Sequence, residues 1–197
     1  DVTFTGSWYD EALEKEGAQK LIDGDCVLIS QHADSLGAPT ACENAGVPNV
    51  SYNGSTQAAG PNTYIISSRI NWAPYYEFAI NAVKNGEAIP ADWTGTLATK
   101  SVLLSDVNES VAAAGTAEKL AEVQAQLEAG TLPVYARSSF TVKGEDLTSY
   151  MGDVHTDADY TPDTEVIENG VFYESKFRSA PYFDLEIDGI TRLDVAF

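Results

Sequence analysis

The sequence has few basic residues, which argues against negatively charged partners such as nucleic acids and anionic lipids. It has 11 lysines and arginines against 30 aspartates and glutamates, and its formal net charge is −19 at pH 7. A surface of that sign repels the phosphates of nucleic acids and the headgroups of anionic lipids. We therefore expect no nucleic-acid binding and no attachment to membranes by charge alone.

Long apolar runs are also missing. No stretch approaches the roughly 18 consecutive apolar residues that span a bilayer, and no leader with charged and apolar regions precedes the first strand signal. We interpret this abrupt start as the edge of a processed or truncated polypeptide. With 44% hydrophobic residues in 197, the composition is that of a globular protein.

Cysteine is scarce, with Cys26 and Cys42 as the only two. Their spacing matches no zinc-binding pattern. Cys26 opens a predicted strand and Cys42 lies late in the predicted helix that follows. A helix packed back along its strand could therefore bring them within disulfide range, which would imply an oxidising compartment. The alternative is two small buried thiols that fill apolar space, and the sequence leaves both open.

Short strand signals alternate with helical stretches over the first quarter of the chain. Three apolar runs and two helical stretches follow each other at 2–5, 10–23, 26–29, 36–45 and 48–52. Such alternation predicts βαβ crossovers and a parallel sheet. The chain from 63 to 137 continues this texture, with strands predicted at 63–68, 101–104 and 132–136 and helices at 73–85 and 117–128.

The alternation of strand and helix signals ends after residue 137. Helical periodicity gives way to tyrosines, phenylalanines and turn signals, and Asp188-Gly189 between 185–187 and 190–193 predicts a hairpin. We therefore predict an α/β ligand-binding domain over 1–137. An irregular, β- and loop-rich extension over 138–197 is expected to pack on it.

Polar and aromatic side chains follow the ends of the predicted parallel strands. Ligands of open parallel sheets bind beyond the carboxyl ends of the strands, so these side chains are candidates for a binding site. The candidate ligand-binding residues are Trp8, Asp10, His32, Asp34, Asn53, Asn71 and Trp72. We predict no metal and no cofactor.

Each candidate also has a structural interpretation. The indole of Trp8 could stack on a planar ligand or cover the edge of the sheet. Asp10 could accept a hydrogen bond from a ligand or cap the first helix, and Asp34 could cap the second. His32 could contact the ligand or be a hydrogen-bonded structural residue. Trp72 could form the second wall of an aromatic clamp or pack under its own helix.

Enzymatic motifs are absent from the sequence. It has no G-x-S-x-G elbow, no phosphate-binding glycine loop and no H-E-x-x-H. Asp10, His32 and Asp34 leave open a small hydrolase or metal-dependent enzyme. A third possibility is a surface sensor or interaction module that uses 138–197 as its partner surface.

Several motifs in the same order resemble the basic membrane protein family, the substrate-binding lipoproteins of bacterial ABC importers, which include purine-nucleoside receptors. The resemblance covers roughly residues 1–105 and lies in Thr5-Gly6-Ser7-Trp8-Tyr9-Asp10, Gln31-His32-Ala33-Asp34-Ser35, Ala45-Gly46-Val47, Tyr52-Asn53 and Ser68-Arg69-Ile70-Asn71-Trp72. It implies a Rossmann-like lobe of a type I periplasmic-binding fold, in which two α/β lobes close on a ligand.

The resemblance also implies roles, partners and a location. The aromatic at Trp8 would stack on a purine base, while Asn53 and Asn71 would help to hold the ligand. The partners would be a purine-like small molecule, a membrane permease and an amino-terminal lobe that this chain lacks. We expect no catalysis, and an extracytoplasmic lipoprotein anchored to the membrane when full-length, with this chain itself soluble.

Two positions depart from the family. Many relatives carry an acidic residue where this chain has Asn53, and nucleoside receptors have a lysine where it has Asn71. The contacts to ribose are therefore changed. A free base or another planar heterocycle fits the resemblance as well as a nucleoside does.

Overall fold

A computed structural model of the chain describes residues 1–194. They divide into two compact units. The first unit contains Asp1–Asn71, Val102–Val123 and 191–194, and the second contains Trp72–Ser101 and Gln124–Ile190. The predicted division into 1–137 and 138–197 stays a prediction, and its last three residues lie outside the described residues.

The first unit is built on a four-stranded sheet. Its strands are β1 (Ile29–Ser30), β2 (Asn49–Tyr52), β3 (Tyr64–Ile70) and β4 (Val102–Leu104), in that spatial order. The first three run parallel, and β4 is antiparallel to β3. This arrangement confirms the predicted α/β class with a mostly parallel sheet.

Four helices lie within one residue of their predicted bounds. They are α1 (Glu11–Asp23), α2 (Gly37–Ala45), α3 (Ala73–Asn85) and α4 (Thr116–Glu128). The prediction succeeded because local chemistry sets the helix ends. The side chain of Asp10 caps α1 by accepting a hydrogen bond from the Leu13 N–H at 3.0 Å. Gly46, at φ +70°, ends α2 in the left-handed region that favours glycine.

The core of the first unit lies between α1, α2 and β1. It consists of small and medium apolar side chains, namely Ala18, Ile29, Ala38, Ala41 and Cys42. Gly37 permits the close approach of the helices, because a Cβ there would lie 2.3 Å from the Glu11 carbonyl oxygen. Both cysteines are free thiols, with Cys42 buried and Cys26 packed against the core. Burial raises the pKa of the Cys42 thiol to about 11.

The prediction of a first strand at 2–5 is wrong. Only Val2 makes a β-bridge there, parallel to Arg192, and the segment does not join the four-stranded sheet. The Val2 N–H donates to the Thr191 carbonyl at 2.8 Å, and the Val2 carbonyl accepts from the Leu193 N–H at 2.9 Å. The backbone N–H and carbonyl of Val2 therefore hydrogen-bond with residues nearly 190 positions away instead of with a neighbouring strand.

The second predicted strand, 26–29, begins later than expected. Asp25 adopts φ +64°, and the Cys26 N–H donates to the Leu21 carbonyl, so both residues close the end of α1. The strand starts only at Ile29.

The second unit contains α3 and two short antiparallel strand pairs. They are β5 (Met151–Gly152) with β6 (Thr164–Glu165), and β7 (Ile167–Glu168) with β8 (Val171–Phe172). Asn169-Gly170 connects β7 to β8 with positive φ at both residues. Val166, Phe172 and Tyr182 form the buried core.

Three predicted strands, at 132–136, 185–187 and 190–193, do not form within residues 1–194. In the range 132–136, only Ala136 forms an isolated bridge, to Val171. The turn at Asp188-Gly189 forms, but its flanks do not pair as a hairpin. The Asp188 carboxylate instead accepts hydrogen bonds from Thr141, Lys143 and Gly144, which ties this turn to a distant loop.

Candidate functional site

A cavity of about 570 Å³ lies within the first unit. It is lined by residues 2–8, one side of α1, residues 29–33 and Ala38. Small-molecule sites typically measure about 300–1,000 Å³ and are mostly apolar with a few polar groups. The cavity is therefore of a size that suits a small ligand.

The amino-terminal segment lines one side of the cavity and does not pair with β1, whose described partner is β2 alone. Asp194 anchors this segment, since its carboxylate accepts hydrogen bonds from the Thr3 hydroxyl and the Phe4 N–H. Lys20 on α1 also donates to Asp194 at 2.7 Å. The hydrogen bonds from Lys20 and Thr3 hold the pKa of the Asp194 carboxyl below its usual range.

Trp8 and His32 both line this cavity. The indole of Trp8 is 80% exposed, which is unusual for the largest apolar side chain. The imidazole of His32 stacks on the ring of Tyr52 at the end of β2, with centroids 5.1 Å apart and an interplanar angle of 19°. The structure thus brings together the two aromatic rings that the sequence analysis placed at one edge of the sheet.

Asp10 and Asp34 stand beside the cavity, and neither lines it. The Asp10 side chain caps α1, as its structural interpretation predicted. Asp34 is exposed, and its N–H donates to the Trp8 carbonyl at 2.9 Å. This bond connects the loop after β1 to the loop that carries Trp8.

The remaining candidates lie elsewhere. Asn53 is exposed in a left-handed conformation at φ +61°, and its N–H donates to the Ser68 carbonyl at 2.7 Å. Asn71 is partly buried after β3. Trp72 belongs to the second unit and stacks on Tyr76 of its own helix, with centroids 6.3 Å apart. None of the three lines the cavity, and their binding roles stay predictions.

Sequence reasoning missed two polar residues of the cavity wall, Glu14 and Gln31. Glu14 is only 3% exposed, whereas glutamates are rarely buried, so the residue type alone gave no signal of its place in the wall. Gln31 donates from Nε2 to the carbonyls of Ala33 and Ser35, while its buried Oε1 has no hydrogen-bond partner among residues 1–194. Its place directly before His32, at a strand end, was the available signal.

Charge further restricts the chemistry of the cavity. Within the described chain, the lining residues include one carboxylate, Glu14, and no lysine or arginine. No three His, Cys, Asp or Glu side chains of residues 1–194 come together in a group that could hold a metal ion. The arrangement offers aromatic faces, an amide and apolar walls.

The comparison with protein families decides the assignment. The model of PnrA-like ABC transporter substrate-binding proteins, the Bmp family, matches residues 1–137. The chain belongs to this family. The resemblance carried by the Trp8 and His32 motifs is thereby confirmed.

Two curated relatives share part of this Bmp chain. TsgA13 of Haloferax volcanii, whose name describes a glucose-binding protein of an ABC transporter, is 27% identical over 139 residues, 71% of this chain and 35% of the relative. A purine-binding protein of Brucella abortus is 29% identical over 85 residues, 43% of this chain and 24% of the relative. The chain therefore spans about a third or less of the length of either relative.

A solved structure supports the fold. The solute-binding protein of an ABC transporter system from Conexibacter woesei aligns with a TM-score of 0.54 and 20% identity, over 68% of this chain and 45% of that one. In the described part of the chain, no helix combines the length and the apolar character needed to cross a bilayer.

Proposed function

We propose that this chain is one ligand-binding lobe of the extracytoplasmic solute-binding component of an ABC importer. Its cavity would bind a planar heterocycle, a purine base or nucleoside. The observation that carries the proposal is a cavity that both Trp8 and His32 line, in a chain of the Bmp family. No covalent chemistry is proposed.

The exposed indole of Trp8 supports a stacking ligand. A tryptophan that is 80% exposed contributes little to the core, whereas a flat ring placed against it removes apolar surface from water. The stacked pair His32–Tyr52 supplies a second aromatic surface in the same unit. Asp10 and Asp34, which stand beside the cavity, and Asn53 and Asn71 of the same unit would add polar contacts to the ligand.

The charge of the cavity favours an uncharged ligand. Its lining within residues 1–194 has no lysine or arginine to pair with a phosphate, and the whole chain carries a net charge of −19. A base or nucleoside is therefore preferred to a nucleotide. The purine-binding relative from Brucella abortus supports the same class of ligand.

Glucose is a second candidate ligand. The relative from Haloferax volcanii is named for glucose binding and matches more of this chain than the purine-binding relative does. Aromatic side chains also provide apolar area against which the apolar face of a sugar ring can pack. The unpaired Oε1 of Gln31 favours either ligand, since both carry hydrogen-bond donors.

The rest of the assembly belongs to the same proposal. Because the chain spans only part of its relatives, a second lobe would complete the cleft, and a membrane permease would receive the ligand. Residues 1–137 would form the binding lobe, with 138–197 as an extension packed on it. The full-length protein would be an extracytoplasmic lipoprotein.

Isothermal calorimetry on the full-length protein tests this function. We expect binding of adenine or adenosine, with AMP bound at least about tenfold more weakly because no cation pairs with its phosphate. Glucose binding without purine binding would identify glucose, the second candidate, as the ligand class. No binding of any of these compounds would contradict the proposal.

Histidine variants provide a matched control for this titration. His32→Ala should weaken binding, because the ring lines the cavity. His155→Ala should leave it unchanged, because this second histidine is partly exposed in the second unit, beside Asp163. Equal affinities of the two variants would contradict the location of the site.

A further inference from the structure

Glu14 is a buried carboxylate that the proposed function does not yet use. Only 3% of it is exposed, and it lines the cavity. Within residues 1–194 it forms no salt bridge. A buried charge without an ion-pair partner is costly unless hydrogen bonds compensate it.

Backbone N–H groups provide that compensation. Glu14 Oε1 accepts from the Asp10 N–H at 3.1 Å and from the Ser35 N–H at 3.2 Å, and Oε2 also accepts from Ser35 at 3.1 Å. Asp10 and Ser35 lie 25 positions apart in sequence. One carboxylate therefore joins two loops, and the positive amino end of α1 further stabilises its charge.

These two loops carry the two rings of the cavity. Asp10 lies two residues after Trp8, and Ser35 lies three residues after His32. A further bond, from the Asp34 N–H to the Trp8 carbonyl, connects the same loops at 2.9 Å. The loop that carries the indole and the loop that carries the imidazole are thus joined through hydrogen bonds to the Glu14 carboxylate.

We propose that Glu14 is a positioning residue for ligand binding, which holds the Trp8 loop and the His32 loop in a fixed relation. This inference rests on the proposed function for its effect on affinity. Its structural part, the coupling of the two loops, does not depend on any ligand. The two parts can be measured separately.

Hydrogen exchange of the full-length protein, read by peptide mass spectrometry, tests the coupling. In Glu14→Ala, the segments 5–10 and 31–36 should both exchange about tenfold faster or more, because the N–H groups of Asp10 and Ser35 lose their acceptor. Glu14→Gln keeps one acceptor oxygen and should show an intermediate increase. The exposed Glu16 of the same helix supplies the matched control, Glu16→Ala, which should change neither segment.

Calorimetry with adenine on the same variants tests the effect on binding. Glu14→Ala should bind about tenfold more weakly or worse, Glu14→Gln should recover part of the affinity, and Glu16→Ala should match the parent. If Glu14→Ala does not fold, Glu14→Gln decides both measurements. Such graded recovery distinguishes positioning from general destabilisation when the variants melt at similar temperatures.

Two results would overturn the inference. One is unchanged exchange in both loops of the Glu14 variants, and the other is parental adenine affinity in Glu14→Ala. If the parent itself binds neither purines nor glucose, the proposed function fails. Exchange in 5–10 and 31–36 then still decides whether Glu14 couples the loops.

Discussion

The two units of the molecule are stabilised by different kinds of side chain. In the first unit, polar residues are buried between parallel strands, with Asn49 and Ser67 at 0% exposure and Ser51 at 2%. In the second unit, two-residue strands surround aromatic rings such as Phe172, which contacts Tyr135 and Phe183 edge to face. The first unit thus buries hydrogen-bonded polar groups beside its apolar core, whereas aromatic rings dominate the core of the second unit.

The cavity described above lies in the first unit, and loops carry its two aromatic side chains. His32 follows β1, and Trp8 follows the amino-terminal segment. A directional hydrogen bond from the Asp34 N–H to the Trp8 carbonyl connects these two loops. In the second unit, large rings fill the space between short strands.

The largest expected effect is on the aromatic core of the second unit. Phe172→Ala should lower the free energy of unfolding by about 3–5 kcal/mol, because Phe172 is 4% exposed and its removal leaves a cavity. Urea denaturation measures this loss, with the 81% exposed Tyr160 replaced in the control Tyr160→Ala. Adenine affinity should change little. A parallel loss of affinity would contradict the contrast between the units.

A smaller effect is expected for the polar core of the first unit. Asn49 donates from Nδ2 to the Ile29 carbonyl at 3.1 Å and accepts from the Ser51 hydroxyl at 2.7 Å. Asn49→Ala should cost about 1–3 kcal/mol, because it leaves buried polar groups unsatisfied. The control is the exposed Asn44→Ala. Equal unfolding free energies in the two variants would show that these buried hydrogen bonds contribute nothing.

The hydrogen bonds of Asp194 to the amino-terminal segment and Lys20 should make the free energy of unfolding depend on pH, and this effect should be smaller still. Since its pKa is lowered in the folded state, the carboxylate contributes stability above its ordinary pKa of about 3.9, and this is lost as pH falls through the folded value. Asp194→Asn should therefore be less stable than the parent at pH 7, and the difference should vanish in acid. Denaturation at both pH values measures it, with the exposed Asp106→Asn as control.

The cysteines should differ in reactivity with little effect on stability. The thiolate is the reactive form, and the Cys42 pKa of about 11 keeps that thiol protonated at pH 8. The pKa of the Cys42 thiol is higher in the folded protein than its ordinary value. The stability contributed by keeping this thiol protonated is therefore complete below pH 9 and is lost as pH rises through about 11. Maleimide at pH 8 should label the partly exposed Cys26 first. Faster labelling of Cys42 would contradict its burial.

Sequence patterns predicted what local chemistry determines. The Asp10 cap and the glycine at position 46 define helix ends within a few residues of chain, so the helices were found almost to the residue. The strand at 2–5 was not, because its pairing is decided by Thr191 and Leu193 at the far end of the chain. Apolar alternation gives no information on such distant partners.

The candidate site was predictable to a similar extent. The end of a parallel strand is a local property, and this rule holds for His32, which follows β1 and lines the cavity. Trp8 also lines the cavity, although the strand predicted before it does not form. Glu14 was missed because its burial follows from contacts with Ser35, 21 positions later. Asp10 was ambiguous in sequence, and the structure shows its capping role.

The most direct test of the account is a calorimetric titration of adenine into Trp8 variants of the full-length protein. Stacking of a base on an aromatic ring is worth about 1–3 kcal/mol, so Trp8→Ala should weaken binding about 5- to 150-fold, and Trp8→Phe should restore most of it. The neighbouring Tyr9 is 65% exposed and does not line the cavity, so Tyr9→Ala should bind as the parent does. Parental affinity in Trp8→Ala would contradict the central claim.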